Sequence, residues 1–148
     1  MSESATRRTI HELVEQAAAR IERLGPTDAQ SAMEEGAVLV DIRSDSARER
    51  DGIVPGSLHV PRTVLEWRLD PGSDWRTPHA PGVHERVVVF CDHGFSSVLA
   101  AASLIDIGFA RAADIVGGFA AWREAGLPVA FLGDVREREG LPGMAPPD

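Results

Sequence analysis

Val87-Val88-Val89-Phe90-Cys91-Asp92-His93-Gly94-Phe95-Ser96-Ser97 begins as an apolar run and stops at the only cysteine of the chain. Four β-branched or aromatic residues in a row suit a strand buried on both faces. After a short polar loop, Val98 to Ile107 is almost wholly apolar and rich in Ala, which predicts a buried helix. A strand ending on Cys91, with a helix opening a few residues later, sets the sulfur over a helix N-terminus. There the unpaired N–H groups and the helix dipole favour an anion. A thiolate is such an anion: free cysteine titrates near ~8.5, and helix N-termini lower that to roughly 3.5–7.5. Gly94 permits the positive φ of a curled loop, and Ser96 and Ser97 suit the N-cap. Cys91 is thus a candidate nucleophile in an anion-binding nest. The plainer alternative is a small buried hydrophobe, the commonest role of a lone cysteine after a strand.

Upstream, Ala37-Val38-Leu39-Val40-Asp41-Ile42 is a second nearly continuous apolar run, and Leu58-His59-Val60 a third, shorter one. Asp41 inside such a strand needs a buried partner. Arg43 and Arg62 are the candidates, as an ion pair bracing loops rather than as chemistry. His59 reads as an edge or packing histidine. Helices are predicted from an N-cap at Thr27 through Glu35, over Ser46–Arg50, and from Pro61-Arg62 to Leu69. Nearer the start, Ile10, Leu13, Val14, Ala17, Ala18, Ile21 and Leu24 recur at three and four. That spacing predicts one amphipathic helix from Thr9, stopped by Gly25-Pro26. Its stripe packs on its own domain or forms a homodimer contact. Downstream, Asp114-Ile115-Val116 is a strand, and Gly117-Gly118 turns tightly into a helix over Phe119–Ala125. Strands alternating with helices predict an α/β fold, a mostly parallel sheet with helices on both faces. Such sheets bind ligands at the carboxyl ends of their strands, where Asp41 and Cys91 both fall.

A chain of 148 residues fits one domain. The expected divisions are an N-terminal helical extension over 1–26, a domain over 27–130 and a loosely ordered tail over 131–148, charged and then rich in Gly and Pro. A formal charge of −8 leaves no basic stripe to neutralise phosphates, which argues against nucleic acid as a partner. No run reaches the ~18 apolar residues of a membrane span, and the polar N-terminus lacks a secretory core. One cysteine closes no internal disulfide, which suits a reducing cytoplasm. His79 and His84 lie in a Pro- and Gly-rich connection without a ligand set of metal-site spacing, so no metal is expected.

Four pieces in order resemble the rhodanese-like family. Val38-Leu39-Val40-Asp41-Ile42-Arg43 is similar to its "LVDVR" strand, and Ile53-Val54-Pro55-Gly56-Ser57-Leu58-His59-Val60-Pro61 to its "HIPGAINIP" segment. Val87 to Ser97 resembles the strand and active-site loop of small single-domain members, here C-x-H-G-x-S-S. Gly117-Gly118-Phe119-Ala120-Ala121-Trp122, with Ala125-Gly126-Leu127-Pro128-Val129, resembles the closing segment. The resemblance covers Thr27 to Val129. It implies a rhodanese-like fold with a five-stranded sheet, and a sulfurtransferase that needs no cofactor. In that family the loop cysteine takes a sulfane sulfur from a donor such as thiosulfate, becomes a persulfide, and passes the sulfur to cyanide or a thiol.

Carried over, Cys91 is the nucleophile and sulfur carrier. The amides of Asp92, His93, Gly94, Phe95, Ser96 and Ser97 cradle the persulfide, with a Ser96 or Ser97 hydroxyl donating and Asp41, Arg43 and Arg62 in support. Many family loops carry Arg or Lys where this one has Asp92 and His93. The donor is accordingly thiosulfate or a persulfide, and the acceptor cyanide, a small thiol or a thioredoxin-like protein. The alternative from another class is a rhodanese-like module that binds partners without catalysis. A cysteine phosphatase or arsenate reductase needs an Arg six positions after the nucleophile to clamp an oxyanion. That position is Ser97, and no Arg follows until Arg111.

Overall fold

A computed structural model describes residues 6–135. The first five residues and the stretch Arg136 to Asp148, expected to be loosely ordered, lie outside the described residues. In chain order the elements are α1 (Ile10–Ala18), β1 (Glu22–Leu24), α2 (Pro26–Glu34), β2 (Val38–Asp41), α3 (Asp45–Asp51) and β3 (Leu58–His59). After a 3₁₀ turn at Arg62–Val64 come α4 (Leu65–Leu69), β4 (Val87–Phe90), α5 (Ser96–Asp106), β5 (Ala112–Ile115), α6 (Gly118–Glu124) and α7 (Leu132–Val135). The strands form one five-stranded sheet in the order β1-β5-β4-β2-β3, with every adjacent pair parallel. The α/β class with helices on both faces is as expected.

Central β4 is apolar at every position because both faces are covered. Its residues alternate between the faces with a period of two. Val87 and Val89 join Leu65, Leu69, Ala101 and Leu104 on the side of α4 and α5. Val88 and Phe90 join Ala29, Leu39, Phe119 and Trp122 on the side of α2 and α6.

The first helix is shorter than its periodicity predicts. It opens at a capping box, in which Glu12 N–H donates to Thr9 Oγ1 at 3.1 Å and Thr9 N–H to the Glu12 carboxylate at 2.8 Å. It ends at Ala18, and Glu22–Leu24 becomes β1, in register Glu22 with Ala113, Arg23 with Asp114 and Leu24 with Ile115. Strand pairing there satisfies the outer edge of β5, while Leu24 stays buried and Ile21 packs on the core. Val14, Ala17 and Ala18 of α1 pack against Val98, Leu99 and Ala102 of α5, whereas Ile10 and Leu13 of the same stripe are exposed. Thr27 is not the N-cap of α2; Gly25 is, with Pro26 at the first helical position.

Because all strands run parallel, their carboxyl ends share one edge. The loop after β4 and the turn after β5 meet there at backbone contact. Gly94 has φ +87° and Gly118 φ +64°. A Cβ on Gly94 would lie 2.7 Å from Gly117 N, and one on Gly118 2.5 Å from the Cys91 carbonyl oxygen. Glycine alone meets both the left-handed backbone and the close approach. Gly118→Ala is expected to lose about 2–4 kcal/mol, from strain plus a forced backbone shift. Urea unfolding reads this as a lower midpoint at unchanged m; a loss under about 0.5 kcal/mol, ordinary for a surface site, would contradict the contact.

Candidate active site

β4 delivers Cys91 to this edge, where the residue is 7% exposed. Its Sγ accepts the Gly94 N–H at 3.2 Å. α5 opens at Ser96 with Phe95 as its N-cap and no side-chain cap bond, so neither serine caps the helix as the sequence suggested. Burial pushes the thiol up. The neighbouring Ser97 and Ser96 hydroxyls and the Ser97 and Gly94 amides outweigh it, and the pKa falls below the ordinary thiol value. The Ser97 hydroxyl has one proton, and Oγ lies 2.7 Å from Asp114 Oδ2. A carboxylate is the stronger acceptor, so the lowering at Cys91 rests on Ser96 and the amides.

The loop's carbonyls are held from outside. Phe119 N–H, in the first turn of α6, donates to Cys91 O at 2.8 Å, and Ala120 N–H to Asp92 O at 3.0 Å. These are the amides that a helix start leaves without intrahelical partners. Arg23 Nη2 donates to Gly94 O at 3.0 Å.

Asp41 ends β2 fully buried. Its Oδ1 accepts from Arg43 N and Nε, both at 3.0 Å, and its Oδ2 from Arg43 Nη2 at 2.8 Å and Arg48 Nε at 3.2 Å. Arg43 also donates from Nη2 to Gly52 O at 2.8 Å. Its Cζ stands 4.0 Å from the centroid of the Phe119 ring, a cation–π contact. Arg43 Nη1 has no hydrogen-bond partner and lies 4.0 Å from Asp92 Oδ1. Of the two partners expected for Asp41, Arg43 serves and Arg62 does not: Arg62 Nη1 pairs with Glu66, at 3.0 Å from its Oε2. His59 is the packing residue expected. Its Nδ1 lies 3.2 Å from Arg48 Nη1 and its Nε2 2.9 Å from Arg43 O. A guanidinium only donates, so Nδ1 accepts and Nε2 carries the proton. Burial, with the charge of Arg48, holds His59 below the usual imidazole range. His93 and Phe95 are exposed at the rim.

Sequence reasoning missed Arg48, Arg23 and Asp114. Asp114 is fully buried in β5, and Arg23 grips it through Nε to Oδ1 at 2.8 Å and Nη2 to Oδ2 at 2.9 Å. The signal for Asp114 was the same as for Asp41, a carboxylate in an apolar strand. Among the described residues no group of three His, Cys, Asp or Glu could hold a metal, and no helix is long and apolar enough to cross a membrane.

The chain has recognisable relatives. Thiosulfate sulfurtransferase GlpE of Pseudomonas syringae pv. syringae (strain B728a) is 39% identical over 101 residues, 68% of this chain and 86% of the relative. The protein of the same name from Haemophilus influenzae (strain PittEE) is 31% identical over 104 residues, 70% and 90% of the two chains. Among solved structures, a Rhodopseudomonas palustris protein of unknown function, described as a possible tyrosine phosphatase, matches with TM-score 0.77 at 38% identity. That match covers 87% of this chain and 98% of the other. The polysulfide-sulfur transferase homodimer of Wolinella succinogenes matches with TM-score 0.65 at 26% identity, over 81% and 85% of the chains. The family model of the rhodanese-like domain matches residues 25–125. On this match and these relatives, the chain belongs to the rhodanese-like domain family.

Proposed function

We propose that the chain is a sulfurtransferase that carries sulfane sulfur as a persulfide on Cys91. One observation carries this: a buried thiol of lowered pKa accepts an N–H from its own loop at the start of α5. The family and the relatives named thiosulfate sulfurtransferase support it. The Cys91 thiolate attacks the outer sulfur of thiosulfate. A new S–S bond forms, the old one breaks, and sulfite leaves with the electron pair. The terminal sulfur keeps one negative charge, which the inward N–H groups of the loop stabilise. Cyanide or a thiolate then attacks that sulfur, the cysteine thiolate is restored, and thiocyanate or a new persulfide leaves. A persulfide donor follows the same path with a thiolate as leaving group. Nucleophiles and leaving groups are anions throughout, so the reaction asks for no acid–base residue beside the sulfur.

Thiosulfate is a dianion, and Asp92 is an acidic loop residue. The Asp92 side chain lines a cavity with Arg50, Phe119 and Arg123 and faces Arg43 Nη1, which offsets its charge. Against a phosphatase, the place of the oxyanion clamp is Ser97, whose hydroxyl is committed to Asp114.

The catalytic unit is residues 27–130, with β1 added from the segment 1–26 and the tail 131–148 following. The acceptor is cyanide, a small thiol or a thioredoxin-like protein, and exposed Phe95 offers the latter an apolar contact at the loop. A homodimer through α1 would bury exposed Ile10 and Leu13; the Wolinella relative is a homodimer. The cytoplasm is the compartment proposed, where the single cysteine stays a thiol.

Intact mass after incubation with thiosulfate, and separately with a small-molecule persulfide, tests the transfer. Wild type is expected to gain the mass of one sulfur atom, removable by cyanide, and Cys91→Ser to gain none. Gain from the persulfide alone assigns the donor; no gain from either overturns the proposal. Iodoacetamide alkylation against pH tests the thiolate. The thiolate is the reactive form, so a lowered pKa moves the half-maximal rate below ~8.5, and a half-maximum at or above that value contradicts the site.

A further inference from the structure

The loop carbonyls at Cys91 and Asp92 are gripped by backbone amides of α6, but the one at Gly94 is gripped by a side chain, Arg23, from the neighbouring edge strand. A trans peptide sets its C=O and N–H on opposite sides, and no cis peptide bond occurs among the described residues. Drawing Gly94 O outward therefore turns the next N–H, that of Phe95, inward. The N–H of Gly94 itself already lies 3.2 Å from Sγ. The Phe95 N–H is the next donor along the loop after it.

We propose that Arg23 is a positioning residue of the sulfur cradle: by holding the Gly94–Phe95 peptide it aims the Phe95 N–H at the terminal, negatively charged sulfur of the Cys91 persulfide. This rests on the sulfurtransferase reading above. Arg23 is itself held in place. It faces Asp114 in the register of β1 with β5, and its Nε and Nη2 bond the two carboxylate oxygens. The same Asp114 accepts from Ser97 of α5. One buried carboxylate thus ties β1, β5 and the start of α5 to the loop. The task needs a planar fork that donates in two directions at once, which a lysine lacks. The hydrogen bonds to Asp114 keep Arg23 firmly charged, and that charge lies within electrostatic reach of Cys91.

The full chain serves as wild type, Arg23→Gln, Arg23→Lys and Arg23→Gln/Asp114→Asn. Arg23→Gln strands a buried carboxylate; the double variant removes that charge and is the folded reference, checked by circular dichroism. Two readouts are taken: the rate of persulfide loading by mass, and the pH profile of alkylation by neutral iodoacetamide. Loss of Arg23 is expected to slow loading at least about tenfold, as misplacement of one donor does, and to move the alkylation midpoint to higher pH. Arg23→Lys is expected to recover part of the profile. Folded variants with wild-type loading and a wild-type profile overturn the proposal. Wild type that fails to load from either donor defeats the sulfurtransferase reading instead, while the alkylation profiles still report whether Arg23 sets the loop.

Discussion

An anion held by peptide N–H groups imposes a debt on the carbonyls of the same loop: they must find donors elsewhere. A buried carbonyl left without one costs roughly 1–3 kcal/mol. The architecture around Cys91 answers this requirement. A parallel sheet brings the N-termini of α5 and α6 to one edge, so α5 faces the sulfur while α6 meets the backs of the same peptides through Phe119 and Ala120. The backbone approach this needs is what Gly94 and Gly118 permit, each at positive φ and each without room for a Cβ.

Two buried carboxylates flank that arrangement, Asp41 paired with buried Arg43 and Arg48 beside β3, and Asp114 paired with the more exposed Arg23 at the β1 edge. Taking such groups out of water offsets most of their attraction, so net stability does not explain them. Position does. Arg43 reaches at once to Asp41, Gly52 O and the Phe119 ring, joining the end of β2 to the turn after α3 and to α6. Removing one partner leaves an uncompensated buried charge, a loss of about 3–5 kcal/mol, which makes the geometry hard to relax. His59 fits the same logic: as a neutral imidazole it accepts from Arg48 and donates to Arg43 O, roles that only the uncharged ring can combine.

The strand–cysteine–loop–helix order was legible because each piece carries a local signal: β4 by its apolar run, Gly94 by its conformational freedom, α5 by its Ala-rich face. Asp41 was legible as a carboxylate too deep in a strand to stand alone. β1 was not, because Ile21 and Leu24 satisfy a helical period and an edge strand alike, and three residues are too few to show a period of two. Reading β1 as helix also hid Arg23, whose meaning is its register opposite Asp114. Arg48 was hidden in α3, where Asp45, Arg48, Glu49, Arg50 and Asp51 look like a solvated face; only the fold turns Arg48 inward. Ser97 follows the same pattern. Its local preference is to cap a helix, but its hydroxyl donates to a carboxylate from β5 instead.

The charges around the site also bear on what stabilises the thiolate. Arg23, Arg43 and Arg48 are balanced by Asp114, Asp41 and Asp92, on a chain of net charge −8. These three arginines and three aspartates leave no net charge among them beside the sulfur. Stabilisation comes chiefly from fixed dipoles close to the sulfur: the Ser96 hydroxyl, the amides of Gly94 and Ser97 and the open end of α5. Dipoles at hydrogen-bond range act within the first few ångströms, inside the ~8–10 Å over which salt screens free charges. An acidic residue in the loop is compatible with this scheme, since Asp92 faces Arg43 on the flank of the loop while the N–H groups face the sulfur. The ion pairs hold the peptides in orientation, and the peptides hold the charge.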